Sequence, residues 1–270
     1  MHEGVMTAAL APTLVLGVLI GAALGLLGGG GSVLTVPLFV YALGFDPKHA
    51  IAMSLAVVGA TSAFGTAAHW RAGYVNMRIA AIFGAVAIAG TYVGVRLANF
   101  VSGTTQLVVF GAVMLTAAIF MLRGNALPSE RDRELSQEIG VSLLKAVPAG
   151  LLVGLLTGLL GVGGGFLIVP ALLVLRASFR EAVGTSLLII TANCLVGFFG
   201  YLGHVSMDWT AVIFVSAGTV PGIVLGSYLH HFVPQSMLRR GFAAVLVVLA
   251  IFILYENLAP LSAIGRIGNK

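Results

Sequence analysis

Charge is the scarcest property of this 270-residue chain: Asp, Glu, Lys and Arg make up 9% of it, where a soluble globular domain carries about 25%. A water-soluble surface cannot be built from so few charged groups. Cysteine is nearly absent as well. The lone Cys194 can form no internal disulfide and has no partner at metal-ligand spacing, so it reads as a small buried hydrophobe. Enzyme signatures are missing too. The glycine clusters lack the Gly-Lys-Ser/Thr of a phosphate loop and the Gly-x-Gly-x-x-Gly spacing of a dinucleotide-binding turn. There is no His-Glu-x-x-His metal motif, no Gly-x-Ser-x-Gly nucleophile turn and no paired general acid and base. Neither catalysis nor a cofactor nor a metal is expected. Residues 1–6 contain His2 and Glu3 but no Lys or Arg, so they lack the basic region of a cleaved signal peptide, and the first apolar block reads as a retained membrane segment.

What the chain has is apolar length. Hydrophobic residues make up 59% of it, gathered in blocks at 5–27, 51–70, 79–98, 107–122, 210–229 and 242–255. Most approach the ~20 residues that a helix needs to span ~30 Å of hydrocarbon. The formal charge of +5 comes from Arg and Lys scattered among short loops, not from a basic stripe, so nucleic acid is not the expected partner. Such scatter sets orientation in a bilayer.

The chain also repeats itself. Gly25-Leu-Leu-Gly-Gly-Gly-Gly-Ser-Val-Leu-Thr-Val-Pro37 returns as Gly158-Leu-Leu-Gly-Val-Gly-Gly-Gly-Phe-Leu-Ile-Val-Pro170, with nine of thirteen positions identical at an offset of 133. Gly17 and Gly21 meet Gly150 and Gly154 in the same register. At an offset of 132, Ser54-Leu55 meets Ser186-Leu187, and Gly90 and Gly94 meet Gly222 and Gly226. Between the copies, residues 123–145 form the one long polar stretch. The division expected is a first membrane repeat at 1–122, a cytoplasmic polar linker at 123–145, a second repeat at 146–258 and a C-terminal tail at 259–270.

Each half reads as a long apolar segment, a glycine cluster, a short apolar segment and three spanning helices. The short segments, 33–43 and 166–175, reach only ~16 Å as helices and cannot cross alone. New helices start after them: Asp46-Pro47 offers a cap followed by Pro at the first helical position, and Ser178-Phe-Arg-Glu181 is a capping box. Five passes or part-passes per half would place ten Lys and Arg on one side against Lys48, Arg96, Arg266 and Lys270 on the other. Four per half would divide them eight to six, so the positive-inside rule favours five, with the second half inverted and both termini outside. The expected fold is therefore an all-α polytopic membrane protein of two inverted repeats, with about 8 full spans and 2 short segments.

A glycine break inside hydrocarbon is tolerated only where it is buried in protein or lines a polar cavity, and two matched breaks point to a binding site between the halves. The short segments would present uncapped amide hydrogens beside glycines that allow a ligand to approach, which is an anion site without a fixed charge. The candidate binding residues are Gly29, Gly30, Gly31, Ser32, Thr35 and Ser54 in the first half, and Gly163, Gly164, Gly165, Thr185, Ser186 and Asn193 in the second. Thr61, Ser62 and Thr191 are further plausible lining groups. Small residues and hydroxyls also serve simply to pack membrane helices, as Gly17, Gly21, Gly25, Gly150, Gly154 and Gly158 are expected to do. No acidic residue is clearly central, which argues against a carboxylate relay. His69 and His204 near helix ends are candidates for proton coupling, and Arg96 either snorkels to the interface or adds charge to the anion path.

The glycine-rich Gly158 to Pro170 motif, the following Ala182-Val-Gly-Thr-Ser186, the duplicated Gly25 to Pro37 stretch and His69-Trp-Arg-Ala-Gly73 resemble the TauE/SafE family of membrane permeases. The resemblance covers nearly the whole chain. It implies a secondary transporter, with export the expected direction, of a small sulfur oxyanion such as sulfite or an organosulfonate across a bacterial cytoplasmic membrane. A departure is Ala52-Met-Ser54 where the second half has Gly184-Thr-Ser186, which suggests that the second half holds more of the ligand. Another small anion is the alternative substrate, and a membrane enzyme or assembly factor for a sulfur compound is the alternative class. A proton or sodium ion is the coupling partner to expect, since no ATP-binding signature is present. The glycine faces fit a homodimer and internal packing equally well.

Overall fold

The computed structural model describes residues 2–27, 31–123, 143–175, 177–202, 204–229 and 235–267. Residues 124–142 of the linker, and Gly28, Gly29 and Gly30 of the first glycine cluster, lie outside the described residues. Among those described, the chain is all helix: α1 (His2–Leu27), α2 (Ser32–Pro37) with a π-helical continuation (Leu38–Ala42), α3 (Pro47–Arg71), α4 (Met77–Ala98), α5 (Gly103–Arg123), α6 (Leu143–Leu160), α7 (Gly165–Val174), α8 (Phe179–Tyr201), α9 (Trp209–Leu229) and α10 (Gln235–Ile267).

The helix starts follow local chemistry. Asp46 accepts from the Lys48 amide at 3.0 Å with Pro47 in the first turn, and Ser178 and Glu181 form the reciprocal capping box. Asn76 caps α4 by accepting from Ile79 N at 3.1 Å, and Asp208 caps α9 by accepting from Ala211 N at 3.0 Å. Among the described residues, six helices are long and apolar enough to cross a membrane, and Thr13–Leu27, Ser32–Ala42 and Ala146–Leu160 are shorter apolar stretches. Apolar side chains such as Leu152, Phe199, Ile213 and Tyr228 face outward, as expected where lipid rather than water is the neighbour.

The helices exchange partners between the halves. The first helix of each half lies along the fourth helix of the other: α1 packs on α9, and α6 on α4. The third helices, α3 and α8, pair at the centre, and the fifth, α5 and α10, pair with each other. Glycines make the crossed pairs close. A Cβ on Gly21 or Gly25 would run into the α9 backbone at Thr219 and Ile223, and one on Gly154 or Gly158 would run into α4 at Ala87 and Thr91. Close backbone approach and dispersion hold these contacts, because lipid offers no hydrophobic drive between helices. The glycine stripes are thus used inside the molecule.

Candidate functional site

The chain breaks between α6 and α7, where Gly161, Gly163 and Gly164 all have positive φ, between 67° and 71°, a region that side chains disfavour. There is also no space for side chains. A Cβ on Gly163 would sit 2.8 Å from Val58 of α3 and 2.9 Å from the Cys194 sulfur of α8, and one on Gly164 would collide with Thr157 Oγ1. In the first half, Gly31 precedes α2 so close to α1 that a Cβ would meet Ile20 O and Leu24 N. The second break, and Gly31 at the first, are walled by protein, as hydrocarbon requires of irregular backbone.

The two helix ends at the second break are treated differently. The carbonyls at the end of α6 are satisfied by side chains from three other helices: Gly158 O accepts from Tyr201 OH at 3.1 Å, Leu159 O from Gln106 Nε2 at 2.8 Å, and Gly161 O from Ser54 Oγ. Thr157 O accepts from the Gly161 amide at 2.9 Å. The start of α7 receives no such help. Its cap residue is Gly164, which has no side chain to offer, and the first turn closes only through Leu167 N and Ile168 N on Gly164 O, each at 2.9 Å. The α2 start, capped by Gly31, likewise has no side-chain cap. The negative end is neutralised and the positive end is left for an acceptor from elsewhere.

Among the described residues, several buried side chains carry polar atoms with no hydrogen-bond partner, the Oε1 of Gln106, beside the end of α6, among them. Asn193 on α8 is fully buried, and neither its amide nitrogen nor its oxygen is hydrogen-bonded; Thr35 Oγ1 on α2 and Ser62 Oγ on α3 are in the same position. A buried unpaired polar group costs about 1–3 kcal/mol, so such groups call for an explanation beyond packing. Asn193 adjoins Cys194, whose sulfur and Cβ fill the space that Gly163 and Gly59 leave open. Ser62 lies one turn along α3 from Gly59.

The other predicted residues divide by role. Gly31, Ser32, Gly163, Gly164 and Gly165 are all buried at the breaks. Ser54 is buried with them but donates to Ile51 O and Gly161 O, so it joins the halves structurally. Ser186 is buried and donates to Val183 O at 2.8 Å. Thr185 accepts from Asn76 N at 2.9 Å, eight residues and about 12 Å along the helix from Asn193. Thr61 pairs with Thr219 at 2.6 Å, and Thr191 donates to Leu187 O at 2.8 Å. Arg96 is exposed and donates to Tyr92 OH at 2.7 Å. His69 is buried and His204 exposed. Gln106 and Tyr201 were not singled out from sequence, although a polar group within an apolar membrane helix is itself a signal.

Ser54→Ala should lower stability by about 1–3 kcal/mol, because Gly161 O would lose its donor in a buried setting. Thermal unfolding in detergent checks this, and an unchanged midpoint would count against the bridging role.

The family described as "Sulfite exporter TauE/SafE" matches residues 13–253. A "Probable membrane transporter protein" of Xylella fastidiosa (strain 9a5c) is 34% identical over 251 residues, which is 92% of this chain and 95% of that one. "Probable membrane transporter protein YdhB" of Bacillus subtilis is 25% identical over 244 residues, 88% of this chain and 97% of its own. A probable membrane transporter protein of Methanocaldococcus jannaschii is 24% identical, covering 89% and 94%. No solved structure matches.

Proposed function

Given that the chain belongs to the sulfite exporter TauE/SafE family of multi-pass membrane transporters, we propose that it is a secondary transporter of a small sulfur oxyanion, sulfite or an organosulfonate, and that it exports this anion across a bacterial cytoplasmic membrane. One observation carries the reading. At the second break the carbonyls of Thr157, Gly158, Leu159 and Gly161 each accept a hydrogen bond from within the protein, while the α7 start has only a glycine cap. A ligand suited to that surface accepts hydrogen bonds and bears negative charge.

The magnitudes favour a small, weakly held anion. Each helix start carries roughly half a positive charge, so two of them offset about one unit, and no fixed cation is needed. Asn193, Thr35 and Ser62 can hold oxyanion atoms by hydrogen bonds, which release a substrate more readily than an ion pair does. Gly29 and Gly30, which lie outside the described residues, are proposed as ligand contacts from the sequence alone.

The topology we propose adds α1 and α6 to the six long apolar helices, giving eight spans and two short segments, each of which returns the chain to the side from which the preceding helix entered. The two halves are inverted, with both termini outside and the polar linker cytoplasmic, which is the arrangement that gathers ten of the fourteen Lys and Arg residues on one side. The reciprocal exchange of helix partners supports it, since a two-fold relation makes each half complete the other. Movement of one half against the other would expose the breaks alternately, driven by a proton or sodium gradient.

Flux of labelled sulfite into proteoliposomes containing the purified chain should be saturable and exceed that of empty liposomes, with sulfonates competing. Competition by carboxylates in preference to sulfonates would move the assignment to another small anion. Absence of flux with either gradient imposed would remove the sulfite reading.

A further inference from the structure

The duplication in the sequence is kept in the packing. A Cβ on Gly25 would lie 2.6 Å from Ser227 N, and one on its counterpart Gly158 would lie 2.8 Å from the matching Val95 N. Gly222 and Gly90 would meet Ala22 N at 3.0 Å and Leu155 N at 2.9 Å, and Gly65 and Gly197 would each lie 3.1 Å from the corresponding Leu187 and Leu55 side chains. A residue of one half is therefore located by its twin in the other. His69, four residues beyond Gly65, is the twin of Tyr201, four beyond Gly197. Each stands near the end of one of the central helices, α3 and α8, and they are only 4% and 2% exposed. Tyr201 donates to Gly158 O at the carboxyl end of α6. Since Gly25 is the twin of Gly158, the repeat puts His69 on the face of α3 turned toward the carboxyl end of α1, where the first break begins.

A phenol keeps its proton up to about pH 10, whereas an imidazole exchanges one near neutrality. Among the described residues, the buried side chains able to exchange a proton are His69, Cys194 and Tyr201, and of these residue types only histidine ordinarily does so between about pH 5 and 8. The carboxyl end of a helix carries roughly half a negative charge and accommodates an imidazolium. Trp70, Arg71, Ala72 and Gly73, directly after His69, are exposed, which gives a proton a short way in from water.

The groups packed around His69 leave its charge uncompensated by a dedicated carboxylate. Tyr74 sets its ring edge-on at 6.4 Å, and its hydroxyl accepts from Arg180 at 3.4 Å. From α8, Gly184 lies so near that an added Cβ would be 3.2 Å from His69 Cβ. Glu181, one turn before it, is engaged by the Ser178 amide at 3.2 Å and by Asn76 Nδ2 at 3.5 Å. Arg71 on its own helix, Tyr228 of α9 and Arg240 of α10 are exposed, and α1 brings only Leu and Gly at 24–27.

We infer that His69 is the proton-binding site of the transport cycle, its proton adding one positive charge beside the first glycine break so that proton and anion are carried together. The two helix starts offset about one negative unit, and with His69 protonated the site suits a dianion such as fully ionised sulfite. That pair leaves with one net negative charge, which a membrane potential negative inside favours, so proton binding and export agree. The proton site stands on the fold alone, while its coupling to an anion rests on the transport reading above.

Magnetic resonance of histidine labelled at Cε1, in the full chain in lipid nanodiscs, identifies His69 as the signal missing from His69→Tyr, which copies the second half, and from His69→Gln. That signal should titrate between about pH 5 and 8; a signal fixed across this range would overturn the proton site. For the coupling, proteoliposomes receive labelled methanesulfonate, a strong-acid anion whose charge is constant over this range, under a pH step of about one unit, alkaline inside, with the membrane potential clamped. The unmodified chain should accumulate the anion roughly tenfold if one proton accompanies each anion, and both variants should lose that response. Flux in the unmodified chain that ignores the pH step, or accumulation in either variant equal to it, would overturn the coupling. A chain whose His69 titrates but which moves neither methanesulfonate nor sulfite keeps its proton site and loses the transport reading.

Discussion

Asn193→Leu should abolish most transport while leaving the protein as stable as before or more so. Leu reproduces the branching of Asn without its donors and acceptor, and Asn193 is fully buried with both amide atoms unpartnered in the protein. Removing an unsatisfied buried polar group relieves a cost of about 1–3 kcal/mol, which at least offsets the slightly greater volume of two methyl groups over an amide oxygen and nitrogen in a packed site. Transport should move the other way. A hydrogen bond to a charged ligand contributes ~1.5–3 kcal/mol, so labelled sulfite flux should fall by roughly tenfold or more. A purely structural residue would show the reverse pattern, with stability lost and flux per folded molecule preserved. Unchanged flux in Asn193→Leu would remove Asn193 from the binding site.

The second large effect is expected at Gly164, the residue from which α7 starts. Gly164→Ala must hold φ near +71°, which costs about 1–2 kcal/mol for a side-chain-bearing residue. The new methyl would also collide with Thr157 Oγ1, adding about 1–3 kcal/mol of overpacking. These causes separate in a double-mutant cycle. Gly164→Ala with Thr157→Ala should regain the steric part and keep the backbone part, as measured by unfolding in detergent. Additive effects of the two changes would mean that they do not meet at the break. Flux in the double variant then reports whether the exposed start of α7 matters apart from stability.

The conformational demands of the break explain why so much of its local character was legible in advance. Three positive-φ positions close together require glycine, so the cluster announces itself. The caps at Asp46 and Ser178 were equally local, since each involves residues two or three apart. The duplication was visible because both halves keep register. Across the break, however, Ser54 and Gly161 lie 107 residues apart, Gln106 and Leu159 lie 53 apart, and Tyr201 and Gly158 lie 43 apart. No periodicity connects such pairs, so the satisfaction of the α6 carbonyls could not be read from the sequence. The unequal Ala52-Met53 and Gly184-Thr185 pairs show the same division: the difference was plain in the sequence, but the contact that gives it meaning exists only when Asn76 is brought against Thr185.

By itself, then, the sequence determined that this chain lives in a bilayer, that it consists of two related halves and that each half breaks at glycines, because charge content, apolar length and backbone permissiveness are properties of residues and their near neighbours. The tertiary structure decided which helices exchange partners, which hydroxyls are consumed in bridging and which polar atoms stay unpaired. Those outcomes depend on the approach of segments far apart in the chain, and in lipid that approach is set by the fit of backbone against backbone along the glycine faces.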